Sequence, residues 1–299
     1  MEEKKLKLSI VILSWNTKAL LKQCLESLKE GGEGMEGCEV IVVDNGSEDQ
    51  SGEMVKKFRT QNTGYEIRLI ENKNNLGFAK GNNIGIKEAR GEYVMLLNSD
   101  TIVKKGSLKK MVDFLDQHKE IAIVGPKLLN SDRTPQPSCG QFPNLWVAFI
   151  MLFKEHFGGS KIVRYSPVAS GEVPWLMGAA FVAREKVFEE IGLLDERMFM
   201  YMEEVEWFYR AKKAGLRAYF LKDAEIIHLG RGSSSTGKRE PILNIYKGLL
   251  HFYKVHKSPL ELFILRIMLK TKALLSLLIG DLKNNDYLKQ TYGQAIKIN

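Results

Sequence analysis

One carboxylate, that of Asp100, closely follows a run of four apolar residues and could hold a metal ion. The run, residues 94–97, predicts a buried strand, and Asn98 and Ser99 lie between it and Asp100. Ligands of open α/β sheets bind beyond the carboxyl ends of the strands, where a carboxylate can bind a hard divalent cation and the cation a diphosphate. Asn, Ser and Asp also favour ordinary turns, so this turn alone does not decide between a metal site and a structural turn.

Four further residues have side chains that could bind a ligand or a metal ion. Asp44 ends another apolar run and could accept a hydrogen bond from a nucleotide base or ribose, or could form an Asx-turn. Glu203 and Glu204 lie in the first part of a predicted helix, where acidic residues are common because they complement the helix dipole. The aromatic and methionine residues just before them nevertheless favour a site carboxylate. His228 follows an apolar run and is either a structural residue or a metal ligand.

The composition is that of a globular protein with an anionic partner. The chain has 299 residues, 44% of them hydrophobic and 27% charged, and a net charge of +8. This charge suits a nucleotide, an anionic lipid or a nucleic acid without choosing among them. The three cysteines form no CxxC pair, which favours a reducing compartment. The apolar run at residues 8–13 is too short for a spanning helix and has no cleavage site after it, so we expect a cytoplasmic protein.

Strands alternate with helices in the first part of the chain. Apolar runs predict strands at residues 8–13, 40–43, 67–70, 93–97 and 121–124, and helical patterns separate them, the first ending at Gly31 and the last covering residues 106–117. Continuously apolar strands that alternate with helices are typical of an α/β fold with a mostly parallel sheet covered on both faces. The polar strand ends at 14–17, 44–47 and 98–101 should then meet at one edge, which predicts a nucleotide site.

The second part of the chain has a less regular pattern. We predict a loop or hairpin over 130–145, an apolar run over 146–153, irregular or β structure over 161–174, a turn followed by a buried segment over 174–182, a helix over 199–214 and strands over 218–221 and 225–229. A Gly- and Ser-rich loop at 230–237 precedes a C-terminal segment of helical pattern.

Two familiar nucleotide motifs do not fit. Residues 232–238 begin like a phosphate loop, G-x-x-x-x-G-K, but Arg239 stands where Ser or Thr would bind magnesium. No G-x-G-x-x-G follows a strand, so a nicotinamide-binding site is not expected either. The pattern therefore favours neither an NTPase nor a dehydrogenase.

Taken in order, the polar segments resemble those of the inverting, nucleotide-sugar-dependent glycosyltransferases of family 2, in their rhamnosyltransferase and galactofuranosyltransferase branch. The resemblance runs from about Leu8 to about Tyr253. It includes Ser14-Trp15-Asn16, Val43-Asp44-Asn45-Gly46-Ser47, the loop at 75–83, Leu96-Leu97-Asn98-Ser99-Asp100, Gly178-Ala179, the segment 192–206 and His228-Leu229-Gly230. The family implies the GT-A fold, with a Rossmann-like sheet.

The resemblance implies a role for each matching residue. Asp100 corresponds to the main metal carboxylate of a motif that is usually Asp-x-Asp, and His228 to the histidine that completes the site for Mg²⁺ or Mn²⁺. Glu204 corresponds to the second acid of a Glu-Asp pair, the general base, although the family usually has Asp there. The donor nucleotide would contact Ser14, Trp15, Asn16, Asp44, Asn45, Lys80, Asn82, Asn98 and Ser99. The acceptor side would include Trp175, Gly178, Ala179 and Glu203.

The expected function is inverting transfer of a sugar, rhamnose or similar, from a dTDP- or UDP-linked donor to a lipid-linked or cell-envelope glycan acceptor, with no nucleic acid involved. Residues 1–240 would form the GT-A domain, 1–130 binding the donor and 131–240 the acceptor, and 241–299 a helical extension. Two alternatives stay open, a non-catalytic binding protein of the same fold and a nucleotidyltransferase. The latter would need a basic, Gly-rich loop after the first strand, where this chain has Ser-Trp-Asn.

Residues 259–279 are apolar but contain three cations, Arg266, Lys270 and Lys272. These charges argue against a spanning helix and favour a helix lying on anionic lipid at the inner face of the cell membrane. The alternative is a helix packed on its own domain or on the second subunit of a homodimer.

Overall fold

The computed structural model describes residues 6–31, 37–61, 64–153, 160–230 and 239–298. The residues that begin like a phosphate loop, 232–238, lie outside this description, as does most of the Gly- and Ser-rich loop.

The chain folds into twelve strands and eleven helices in these described residues. The strands are β1 (Leu8–Ser14), β2 (Cys38–Asp44), β3 (Glu66–Glu71), β4 (Tyr93–Asn98), β5 (Thr101–Val103), β6 (Ile123–Leu129), β7 (Cys139–Gly140), β8 (Arg164–Tyr165), β9 (Gly171–Glu172), β10 (Trp175–Leu176), β11 (Ala180–Arg184) and β12 (Ala218–His228). The helices are α1 (Lys18–Gly31), α2 (Ser51–Arg59), α3 (Phe78–Lys87), α4 (Ser107–Gln117), α5 (Leu145–Phe153), α6 (Ser160–Val163), α7 (Glu185–Ile191), α8 (Glu203–Lys213), α9 (Arg239–His256), α10 (Pro259–Leu282) and α11 (Asp286–Ala295).

The main sheet is mixed and mostly parallel, which confirms the predicted α/β class. Its strand order is β3-β2-β1-β4-β11-β6-β12-β5, and β9 pairs with β12 beside this path. Strands β1 to β4, β6 and β12 run in one direction, whereas β11 lies antiparallel between β4 and β6. A small second sheet has the order β10-β7-β8.

Helices cover both faces of the main sheet, as predicted. Alternate residues of β1 point to opposite faces, so Ile10 and Ile12 pack with α1, α2 and α4, while Val11 packs with the cluster that includes α7, α8 and α9. The C-terminal helices belong to this second cluster, since Leu249, Leu265 and Tyr292 are buried in it.

Three sequence predictions need correction. The helix predicted from Phe199 begins at Glu203, because Tyr201 and Met202 have φ angles of 70° and 74°, which a right-handed helix does not allow. The strands predicted at 218–221 and 225–229 are one strand, β12, with an irregular register between Leu221 and Glu225. Helix α7 and strand β5 were not predicted.

The predicted convergence of polar strand ends is confirmed. Ser14 pairs in register with Asp44, and Leu13 pairs with Asn98, so the carboxyl ends of β1, β2 and β4 meet at one edge. Among the helices described, none combines the length and the apolar character needed to cross a bilayer.

Candidate active site

A cavity of about 410 Å³ opens at this edge of the sheet. It brings together residues from both halves of the chain that the sequence predicts as site residues. These are Trp15, Asn98, Ser99, Asp100, Trp175, Gly178, Ala179, Glu203, Glu204 and His228. The cavity thus combines a candidate metal pair with a candidate base.

The pairing of β5 with β12 brings Asp100 and His228 together. Thr101, the first residue of β5, is in register with His228, and the backbone N–H of Leu229 donates to the carbonyl oxygen of Asp100 at 2.9 Å. His228 Nε2 lies 3.3 Å from Asp100 Oδ1. Both side chains are largely buried, so their separation is fixed by the strands rather than by solvent-exposed rotamers.

The second ring nitrogen of His228 is held by Gln136. His228 Nδ1 lies 2.7 Å from the Gln136 amide oxygen, and the Gln136 amide nitrogen donates to the carbonyl of His228 at 3.1 Å. An amide oxygen only accepts, so Nδ1 bears the hydrogen, and in the neutral ring Nε2 presents its lone pair toward Asp100. Metal-bound histidines typically have this arrangement, in which the distal nitrogen donates to an oxygen.

Asp100 and His228 therefore fit a divalent cation as two of its ligands. The described residues contain no group of three His, Cys, Asp or Glu side chains able to hold a metal ion. Any further ligands would come from a bound diphosphate or water, which is usual for Mg²⁺.

A row of hydroxyl groups links β1 to β4 beside the pair. Ser14 Oγ and Thr17 Oγ1 share a hydrogen bond of 2.9 Å, and Thr17 Oγ1 and Ser99 Oγ share one of 3.0 Å. All three side chains are buried. Thr17 was not among the predicted site residues, although it lines the cavity.

Other predicted donor residues lie near the edge but do not line the cavity. Asp44 accepts from the backbone N–H and the hydroxyl of Ser47, which is the structural turn left open by the sequence. Asn45 is buried and donates to Asn75 Oδ1 at 2.9 Å, so it holds the loop before α3.

Three more predicted donor residues, Asn16, Asn82 and Lys80, also do not line the cavity. Asn16 has a φ of 53° and accepts from the backbone N–H of Glu48 at 2.8 Å. Asn82 is buried and donates to the carbonyl of Phe78 at 2.9 Å, and Lys80 is exposed. The roles of Asp44, Asn45, Asn16, Asn82 and Lys80 in donor binding stay predictions.

The two carboxyl groups at the start of α8 face the cavity. Oε2 of Glu203 and Oε2 of Glu204 are buried and have no hydrogen-bond partner among the described residues. A Cβ atom placed on Gly178 would lie 3.6 Å from Glu204 Cβ, so the loop before β11 passes close to Glu204. An acceptor hydroxyl in the cavity could satisfy such an oxygen.

Both carboxyl groups have a raised pKa, and their surroundings differ. Burial raises the pKa of both, and the neighbouring Glu204 carboxylate raises the pKa of Glu203 further. Backbone N–H groups and the guanidinium of Arg164 oppose the rise in the pKa of Glu204. Both carboxyl groups therefore bind a proton more readily than an exposed glutamate does, and their proximity disfavours a state in which both are ionised.

Glu206, one turn further, has a different environment. Its Oε1 lies 2.9 Å from His256 Nε2, and Arg210 donates to its Oε2 at 2.9 Å. These contacts anchor α9 to α8.

Sequence reasoning did not find the apolar wall of the cavity. Val147 and Met151 of α5, Val163 and Ile245 line it, as does Arg164. The apolar run at 146–153 was visible in the sequence, but nothing in it indicated which surface it would cover. A lone arginine in an irregular segment offers no signal at all.

Comparison with known proteins shows the family to which the chain belongs. Residues 9–192 match the family model described as Glycosyl transferase family 2. The chain is 27% identical to the low-salt glycan biosynthesis hexosyltransferase Agl10 of Haloferax volcanii over 230 residues. This aligned region covers 74% of this chain and 66% of that protein. The chain is also 27% identical to the N-acetylglucosaminyl-diphospho-decaprenol L-rhamnosyltransferase of Mycobacterium tuberculosis over 248 residues. That aligned region covers 77% of this chain and 78% of the relative.

Among solved structures, that of GalNAc-T7 with UDP, GalNAc and Mn²⁺ superposes with a TM-score of 0.60. The identity is 17%, over 84% of this chain and 50% of that one. This likeness confirms the fold.

The environment of Glu203 predicts how its removal changes stability. A buried carboxyl group with a raised pKa costs the folded state stability as the pH rises through that pKa. Glu203→Gln should therefore raise the melting temperature more at pH 8 than at pH 5. Thermal unfolding at the two pH values measures the difference.

Glu206→Gln is the matched control, because the same change removes the charge between Arg210 and His256. Breaking a buried ion pair costs roughly 3–5 kcal/mol, so this variant should melt lower than the parent at pH 8. A Glu203→Gln protein destabilised equally at both pH values would contradict the raised pKa of Glu203.

Proposed function

The chain belongs to glycosyl transferase family 2 and is a glycosyltransferase of the GT-A type, and from this premise we propose the reaction it catalyses. It transfers a sugar, rhamnose or a similar hexose, from a nucleoside diphosphate donor to a hydroxyl group of a lipid-linked or cell-envelope glycan, with inversion at the anomeric carbon. The observation that supports this most strongly is that Asp100, His228 and Glu204 line one cavity.

The donor diphosphate would bind beside Asp100 and His228. A divalent cation held by these two residues would neutralise the charge that develops on the departing diphosphate, acting as a Lewis acid. An imidazole ligand suits Mn²⁺ as well as Mg²⁺, and the GalNAc-T7 structure was solved with Mn²⁺. The base of the donor, thymine or uracil, would lie toward Asp44 at the end of β2.

Glu204 would accept the proton of the acceptor hydroxyl. As the hydroxyl oxygen forms its bond to the anomeric carbon, the bond from that carbon to the diphosphate oxygen breaks and the proton moves to Glu204. The nucleoside diphosphate leaves, and the single displacement inverts the anomeric carbon. When protonated, as its raised pKa favours, Glu203 would donate a hydrogen bond to a sugar hydroxyl in the same cavity.

The apolar wall of the cavity supports a lipid-linked acceptor. Val147 and Met151 would contact hydrocarbon, while Trp175, Gly178 and Ala179 would contact the acceptor sugar. The Mycobacterium tuberculosis relative is named for an N-acetylglucosaminyl-diphospho-decaprenol substrate, which combines a sugar, a diphosphate and a long hydrocarbon.

The proposed setting follows from this acceptor. The enzyme would act in the cytoplasm at the inner face of the cell membrane and contact it through residues 259–279, with a homodimer through the same residues as the alternative. Residues 1–130 would bind the donor, 131–240 the acceptor, and 241–299 would form the membrane-associating extension.

Substitution of Glu204 tests the assignment of the base. Glu204→Gln should lower turnover by about 10²–10⁴-fold, because a general base typically contributes that much, while donor affinity stays near that of the parent. Since burial raises the pKa of Glu204, parent turnover should fall with falling pH below an inflection higher than that of an ordinary glutamate. Steady-state kinetics from pH 4 to 9 measures both.

Glu203→Gln is the matched control, since it removes the neighbouring carboxyl group from the same cavity. Glu203→Gln should lower turnover less than Glu204→Gln does. It should also keep the fall of turnover at acidic pH, which Glu204→Gln should lose. If Glu203→Gln abolishes turnover and Glu204→Gln does not, the base is Glu203.

The metal pair predicts a graded response. Asp100→Ala should lose most metal-dependent donor binding, whereas Gln136→Leu, which leaves both ligands in place, should weaken metal affinity by about 10–100-fold because His228 loses its orienting partner. Titration calorimetry of Mn²⁺ with nucleoside diphosphate present measures both changes.

Asn130→Leu provides a control for Gln136→Leu, because Asn130 contacts Gln136 Nε2 but not His228. It should leave the Mn²⁺ affinity close to that of the parent. If a chelator does not change donor binding by the parent, the proposed role of Asp100 and His228 as metal ligands is wrong.

A further inference from the structure

Helix α10 has two apolar faces, of which only one is buried. Its inner face packs against the core through Leu265, Leu269, Ala273, Ser276 and Gly280. On the opposite side lies a row of exposed side chains that we call the outer face of α10. Its residues are Leu260, Phe263, Ile267, Leu274, Leu278 and Leu282, whose exposed fractions range from 51% to 79%.

The outer face is a stripe along one side of the helix, with Thr271 between Ile267 and Leu274. Its residues follow one another at intervals of three, four or seven positions, which places them on the same side of an α-helix. At 1.5 Å per residue the stripe is about 33 Å long. Soluble proteins rarely expose a contiguous apolar patch of this extent unless it binds a protein or a membrane.

The charges of α10 favour an anionic surface. Between Leu262 and Gly280 the helix has no acidic residue but has three cations. Arg266 and Lys270 are exposed, lie one turn apart beside the stripe and line a pocket of about 210 Å³. The rest of that pocket is formed by Leu250, Leu269, Ala295 and Ile298.

A second copy of the chain fits this face less well. Arg266 and Lys270 lie near the middle of α10, so a two-fold contact between two antiparallel α10 helices would bring like charges together at the axis. A bilayer that contains anionic lipid accepts both the apolar stripe and the cations, as it does for other interfacial helices.

Helix α10 also lies beside a helix that lines the catalytic cavity. α10 packs against α5, where the ammonium group of Lys272 lies 5.9 Å from the centre of the Phe153 ring. The same helix α5 lines the cavity with Val147 and Met151 and exposes Trp146. A surface bound by α10 is therefore one helix away from the acceptor wall.

We propose that the outer face of α10 docks on an anionic bilayer, with its apolar side chains at the boundary of headgroups and acyl chains and with Arg266 and Lys270 binding lipid phosphates. The purpose of this contact rests on the proposed function, because a lipid-linked acceptor would be met at the bilayer. Docking itself requires neither donor nor acceptor.

Vesicle flotation tests the apolar part. The full-length protein should float with vesicles of phosphatidylcholine and phosphatidylglycerol, and Ile267→Ser/Leu274→Ser/Leu278→Ser should lose at least 10-fold in partitioning. The matched control, Ile162→Ser/Val168→Ser, removes exposed apolar side chains elsewhere and should float like the parent. Circular dichroism checks that each variant is folded.

Substitution of the cations tests the choice of an anionic surface. Arg266→Gln/Lys270→Gln should lose about 30-fold in partitioning, since each cation near an anionic surface contributes about 1 kcal/mol. The control Lys22→Gln/Lys119→Gln removes two other exposed cations and should change little. The parent should bind pure phosphatidylcholine vesicles far more weakly.

Three results would overturn the proposal: a parent that does not float, outer-face variants that float like the parent, or equal binding to neutral and anionic vesicles. Sedimentation velocity without lipid could give a fourth contradicting result. In that result the parent would be a dimer and the Ile267→Ser/Leu274→Ser/Leu278→Ser variant a monomer, so the outer face would bind a second copy of the chain. Because flotation needs no substrate, failure of sugar transfer would leave a positive result standing, and failure of flotation would leave the proposed chemistry untouched.

Discussion

The pairing of β5 with β12 is the contact on which the candidate site depends. It places His228, from late in the chain, against Asp100, which follows β4, and the strands rather than the side chains set the distance. The same sheet aligns the ends of β1 and β4 in register, so the hydroxyl groups beside Asp100 are fixed by the same ladder. A cation and a diphosphate bound there would contact side chains that are already in place. Such preorganisation is a condition for electrostatic stabilisation of a developing charge.

The second constraint is the turn before α8. Tyr201 and Met202 have positive φ angles that end the preceding loop abruptly, so α8 begins at the cavity and presents two adjacent carboxyl groups to it. Backbone strain of this kind persists only where the surrounding structure enforces it. Here it places two carboxyl groups in one buried site, which cannot easily hold two negative charges, so the pKa of each is raised.

The sequence predicted the strands best where they are fully buried, because continuous apolar runs leave few alternatives, and it predicted the meeting of their polar ends. It could not predict that β11 enters the sheet antiparallel, since direction depends on pairing rather than on composition. Asp100, Glu204 and His228 were predicted as site residues through the order of motifs, whereas Gln136, which contacts His228, lies in a loop without any local signal. The pattern of α10 left packing and membrane contact open, and only the structure separates its buried face from its exposed one.

The central claim is a single displacement in which an acceptor hydroxyl attacks the anomeric carbon on the side opposite the diphosphate. Proton NMR of the product formed from a nucleotide sugar of known anomeric configuration tests it directly, when the spectrum is recorded before the product can equilibrate. The proposed roles of Asp100, His228 and Glu204 predict a product of inverted configuration with release of nucleoside diphosphate. A product of retained configuration, or release of pyrophosphate, would contradict the account.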